Sequence, residues 1–240
     1  MPFARIPTLA RTLARPLAAA VVATLLASRA AGAAPVTFDF TSLGSDGTLL
    51  GSEATVNGIR ASGYTLGLAY AGRAKLWLSD RAGDHGLGVC SEGPAACLAG
   101  SGDAGEIDDR GSFEGILLEN TLGGQWTSLV LSSLDGRGTG TVLWGDSLLG
   151  LLTGGGHTFS LGAFGASAEA DVMSLVGSSI DRSARYLAVI AGPSLWGDGN
   201  DFLVWKGAVE VPGPVDVPEP ATLALLGLGL AGLARLRRRG

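Results

Sequence analysis

Residues 35–211 are built from short runs in which apolar and polar side chains alternate with period two rather than 3.6. Val36-Thr37-Phe38-Asp39-Phe40 is the first of them. Period two sends neighbouring side chains to opposite faces of an extended strand, so each run lines a core with one face only. Further runs lie at 64–70, 74–79, 113–119, 128–133, 140–144, 157–164, 186–191 and 202–211. Their separations hold Gly, Asp, Asn and Ser, which supply turn geometry, and Ala71-Gly72-Arg73 reads as a turn between two runs. Residues 148–152 and 171–176 read as short strands or as helical turns. The 39 glycines favour many short strands over a helical bundle. The fold expected is therefore all-β: a two-sheet antiparallel sandwich of jelly-roll type over residues 34–211, with a closed barrel as the alternative. About 175 residues suffice to bury a core without help. No repeat of fixed period points to a solenoid or propeller.

The flanks of this body differ from it in charge. All 22 acidic residues lie after position 34, whereas Arg5, Arg11, Arg15 and Arg29 precede it. Arg235, Arg237, Arg238 and Arg239 fall in the last six positions. Nine basic residues are left against 22 acidic ones between 34 and 234, a net of −13. Such a body repels phosphate backbones, which excludes nucleic acid as a partner.

Residues 1–33 have the anatomy of a secretory signal peptide. A positive start is followed by an apolar helix over 17–26, then by small residues, with Ala31 and Ala33 at −3 and −1 of a cut before Ala34. Ten residues at about 1.5 Å each reach about half of a hydrocarbon core, too short for an anchor. The arginines are unpaired, so a twin-arginine route is not expected. Secretion machinery and signal peptidase are the partners implied.

The other end has its own logic. Residues 212–217 form a proline-rich linker that favours extended conformations. Residues 221–236 form an apolar helix of about 24 Å, slightly short of a membrane core of about 30 Å. Snorkelling arginines or local thinning close that gap. The positive-inside rule keeps the terminal arginines in the cytoplasm and the body outside. Pro218-Glu219-Pro220, the apolar helix and then Arg235, Arg237, Arg238 and Arg239 resemble the PEP-CTERM sorting signal, here over 218–240. The resemblance implies an exported protein of a Gram-negative bacterium. It implies exosortase, a membrane cysteine protease, as the partner that cuts near the Pro-Glu-Pro. It also implies transient residence in the inner membrane, then the cell surface or an extracellular matrix of polysaccharide and biofilm. Within the body, the pattern from Trp77 through Gly86-Leu87-Gly88-Val89 to Glu106-Ile107-Asp108-Asp109-Arg110-Gly111 resembles a segment of PEP-CTERM proteins of unassigned function.

The densest polar chemistry lies in residues 77–119. Cys90 and Cys97 are the only cysteines, and in an oxidising compartment they are expected to form a disulfide. Six intervening residues without a paired His give poor zinc spacing. Asp80, Asp84, Glu106, Asp108 and Asp109 lie in or beside Gly-rich loops and are candidate calcium ligands, with a solvated acidic face as the plainer reading. No EF-hand pattern is present. Of the five tryptophans, Trp196 in Trp196-Gly197-Asp198-Gly199-Asn200 is the one expected to meet solvent and a sugar ring; most of the others are expected in the core.

No nucleophile elbow, zinc helix or phosphate loop occurs in the sequence. Glu106 and Asp108 alternate and could converge as paired carboxylates, but any acidic strand does that. The expectation is a non-catalytic exported protein with a structural or adhesive role. A calcium-dependent lectin and a secreted glycan hydrolase are the alternatives.

Overall fold

A computed structural model describes residues 34–66, 71–90, 106–107, 113–134, 139–153, 155–160, 169–192 and 202–213. The signal segment and the sorting tail lie outside these described residues. Ala34–Val211 forms one compact unit. No helix among the described residues is long and apolar enough to cross a membrane.

The described residues form thirteen strands: β1 (Ala34–Asp39), β2 (Thr48–Leu49), β3 (Glu53–Val56), β4 (Ile59–Leu66), β5 (Ala71–Arg81), β6 (Asp84–Cys90), β7 (Phe113–Asn120), β8 (Gln125–Ser132), β9 (Thr139–Gly145), β10 (Gly155–Ser160), β11 (Glu169–Asp171), β12 (Tyr186–Ala191) and β13 (Leu203–Val211). Two short helices, α1 (Leu148–Thr153) and α2 (Val172–Val176), follow β9 and β11. Every strand pair is antiparallel.

The strands follow one hydrogen-bonded path, β10-β9-β12-β7-β4-β5-β6-β13-β8-β11, with β1 on β13, β2 on β5 and β3 on β4. The long strand β5 joins the two flanks. Its residues 71–74 pair with β4 and its residues 75–81 pair with β6. The result is a continuous antiparallel sheet curled through β5. This corrects the turn expected at Ala71-Gly72-Arg73, which lies inside β5: the strand needs that length to serve two neighbours. The end strands β10 and β11 do not pair with each other among the described residues.

Both flanks feed one core. Ile116, Leu118 and Val189 from one side meet Leu129, Leu131 and Val204 from the other in a single cluster. Phe38, Phe40 and Trp126 form its aromatic centre, with Phe38 tilted against Phe40 at 5.3 Å and edge-on to Trp126 at 6.2 Å. Two bulges tune which residues face inward. In β8 the pairing slips between Ser128 and Trp126, leaving Thr127 as an extra residue. That slip lets Trp126, Leu129 and Leu131 all reach the core although 126 and 129 differ by an odd number. In β13 Trp205 is the extra residue between Val204 and Lys206, and Val204, Gly207 and Val209 are buried across it.

Candidate functional site

Three places on the body hold chemistry. The first is where the chain enters and leaves it. β1 runs beside β13 in register, Ala34 opposite Val211 through to Asp39 opposite Lys206. The residue expected to follow the signal-peptide cut therefore faces the last residue of the last strand. Pro218, Glu219, Pro220, the four terminal arginines, Ala31 and Ala33 lie outside the described residues.

The second place is the opposite end of β13, about 27 Å from Val211 at about 3.4 Å per residue. Here the structure gathers several of the polar residues singled out in the sequence. Asp80 Oδ1 lies 2.8 Å from His85 Nδ1 across the β5–β6 hairpin. This contact favours a proton on Nδ1 in the neutral ring. Asp84 opposes Arg81 at the hairpin turn. The His85 ring stacks on Trp205 at 4.7 Å and 27°, and the Lys206 ammonium sits 3.3 Å from the Trp205 ring centre. The bulge aims Trp205 at His85, and Gly86 makes room for it. A Cβ on Gly86 would come within 2.6 Å of Trp205 Cα and closer still to the Val204 oxygen. Glu106 is reached through Ser133, whose Oγ donates to Glu106 Oε1 at 2.6 Å while its N–H donates to Gly83 O at 3.2 Å. Trp205 Nε1 is buried and has no hydrogen-bond partner among the described residues.

Ser132, His85 and Asp80 are the residue types of a hydrolytic triad, but the geometry differs. Ser132 Oγ accepts from the His85 backbone N–H at 3.0 Å and donates back to the His85 carbonyl. The hydroxyl therefore bonds the main chain of His85 and not its ring, whereas nucleophile activation requires the ring. The carboxylates expected to gather calcium are engaged separately, Asp80 with His85 and Glu106 with Ser133. Among the described residues no three His, Cys, Asp or Glu side chains are placed to hold a metal ion. Asp108, Asp109 and Trp196 lie outside them. Trp77 packs with Cys90 and Leu49 in a small cluster apart from the main core. No cysteine among the described residues is free, and Cys97 lies outside them.

The third place is on the outer face of the other flank, and nothing in the sequence pointed to it. Register brings Thr55, Arg60, Glu119 and Tyr186 into one cross-strand row over β3, β4, β7 and β12. Glu53, Ser62 and Leu117 form the next row on the same face, and Tyr64 lies opposite Arg73 beyond it. Glu119 is clamped from both sides. Its Oε2 accepts from Arg60 Nη2, and its Oε1 accepts from Arg185 Nε at 3.0 Å and Nη2 at 2.6 Å. Its side chain is 4 % exposed while those of Arg60 and Arg185 are 46 % and 57 % exposed. Arg73 pairs with Glu53 nearby, and the Arg185 guanidinium lies 5.3 Å from the Tyr186 ring centre. The face carries a shallow, solvent-open recess.

Burial pushes the Glu119 carboxyl upward, but hydrogen bonds from Arg185 and Arg60 outweigh it and hold the group below the ordinary glutamate range. A carboxylate depressed in the folded state contributes stability that is present above its unfolded pKa of about 4.3 and is lost as pH falls through its lower folded value. Wild-type protein should therefore lose melting temperature more steeply below about pH 4 than Glu119→Gln, which lacks this titration. Melting curves of both proteins across pH 2–7 test this, and parallel acid limbs would contradict it. Asp46, held low by the Arg81 hydrogen bond, acts in the same direction in both proteins.

Comparison with known proteins identifies one region. The family model of the PEP-CTERM protein-sorting motif matches residues 216–239. No curated protein matches the chain, and no solved structure does. The motif is consistent with a substrate of exosortase and implies export with a transient, membrane-associated processing stage.

Proposed function

We propose, from the sorting motif at residues 216–239, that this is a non-catalytic exported protein which exosortase hands over to the cell surface or extracellular matrix. There its role is structural or adhesive, linked to exopolysaccharide and biofilm. One observation carries the reading. The last described strand ends at Val211 and the motif begins at residue 216, so the motif lies beyond every described strand. The body keeps both of its terminal strands, locked to each other, after both cuts. In this reading Cys90 is joined to Cys97, which closes a loop of six residues and stabilises the body by roughly 2–3 kcal/mol. The disulfide suits an oxidising exterior. The experiment is recovery of the protein from cells with and without exosortase, reading where it is found and its intact mass. Loss of the protein from the matrix without exosortase supports the proposal; unchanged delivery and mass would overturn it.

A further inference from the structure

We propose that the end of the body from which the sorting tail departs rests on the phospholipid surface while the tail is uncut, with Leu122, Leu148 and Leu149 in the interface. The membrane stage is that of the sorting reading above; the orientation comes from the surface of the body. Among the described residues four large apolar side chains are exposed: Phe113 at 41 %, Leu122 at 38 %, Leu148 at 56 % and Leu149 at 70 %. The three leucines sit at one end of the sheet, and Val211 sits there too. A Cβ on Gly124, in the turn that carries Leu122, would lie 3.1 Å from Val211 Cα. Beside that turn the Asn120 N–H donates to Arg185 O at 2.9 Å. The Arg185 N–H donates in turn to Asp146 Oδ1 at 3.2 Å, and α1 begins at Leu148. Only β12 separates β7 from β9, so these strand ends stand about 10 Å apart at the usual strand spacing. Phe113 begins β7 at the opposite end, about 24 Å from Asn120 at about 3.4 Å per residue.

The length of the tether selects this end. Nine residues, 212–220, join Val211 to the apolar run that begins at Ala221. Fully extended they span about 30 Å, little more than the length of β7. Presenting the opposite end to the bilayer would use most of that reach to run back along the body. The tether therefore holds Val211, and the leucines beside it, nearest to the lipid. Charge plays little part, because Arg60, Arg182 and Arg185 nearly balance Glu119, Asp146, Asp181 and Glu210 at this end. Three leucines alone bind a bilayer weakly, but a tethered body meets the surface at a high effective concentration. Docking keeps Pro218-Glu219-Pro220 next to the membrane. Cutting removes the tether, and the same weak contact then releases the body.

The test uses the tail-bearing protein from cells lacking exosortase, reconstituted in phosphatidylcholine vesicles. Leu149→Cys, Leu122→Cys and Phe113→Cys each carry a thiol-linked nitroxide, with the unsubstituted protein as the labelling blank, and spin-label depth is read from collisions with oxygen and a water-soluble nickel chelate. The labels at 149 and 122 should lie about 5–10 Å into the headgroup and acyl boundary. The label at 113 should read as water-exposed. Adding Leu148→Asp and Leu149→Asp to the label at 122 should return it to water, because a carboxylate is costly to place in lipid. These leucines are more than half exposed, so the fold tolerates the changes. An anchored protein with all three labels in water, a label at 113 as deep as the one at 149, or a label at 122 that the aspartates leave in place would overturn the docking and leave the sorting reading standing. Protein that does not stay with the vesicles at all would overturn the docking together with the membrane stage it rests on.

Discussion

Gly86→Ala should destabilise the body by about 3–5 kcal/mol and lower its melting temperature by about 10 °C. Two effects act together at this position. Gly86 has φ 123°, a backbone conformation that L residues avoid. A Cβ there would also strike the main chain of Val204 and Trp205, which cannot yield as a flexible side chain would. Gly83, three residues earlier, separates the two effects. It has φ 94°, but a Cβ at this position would meet nothing within 4 Å. Gly83→Ala should therefore cost only the conformational part, about 1–2 kcal/mol. Thermal unfolding of the two variants side by side decides the matter. Equal losses would mean that β6 and the Trp205 bulge do not approach as closely as described.

Trp126→Ala should cost about as much, roughly 3–5 kcal/mol, for a different reason. The ring is fully buried against Phe38, and its Nε1 donates to Ala184 O at 2.8 Å. Removal leaves a cavity and a carbonyl without its donor. Trp126→Phe keeps most of the packing and loses the hydrogen bond, so it should fall well short of the alanine variant. Chemical denaturation measures both. A phenylalanine variant as damaged as the alanine variant would shift the weight from packing to the hydrogen bond.

These two positions also show how far the sequence could be read. The alternation that identifies strands is legible in Val36 to Asp39, where the strand runs without irregularity. It fails at Trp126 and Trp205, because a bulge inserts one residue and reverses the face of everything beyond it. β6 was hidden for another reason. Its Asp84-His85-Gly86 start looks like a loop, yet it pairs along its whole length with β5. Gly86 is there because the Trp205 bulge comes close.

The polar sites divide in the same way. Asp80 and His85 are visible as a dense local motif because they lie five positions apart. The Glu119 clamp draws Arg60 from 59 residues away and Arg185 from 66 residues away, and no local spacing announces it. Only the register of β4, β7 and β12 brings the three together. The sorting motif is a linear pattern over residues 216–239, legible without any contact between distant residues.

The most direct measurement is the intact mass of the protein recovered from the extracellular matrix of cells that contain exosortase. It should correspond to a chain that begins at Ala34, ends near Pro218-Glu219-Pro220 and carries Cys90 and Cys97 without their thiol hydrogens. The same protein from cells lacking exosortase should stay with the membrane and keep residues through Gly240. A matrix protein that retains its apolar tail and arginines, or a mass indifferent to exosortase, would contradict the assignment.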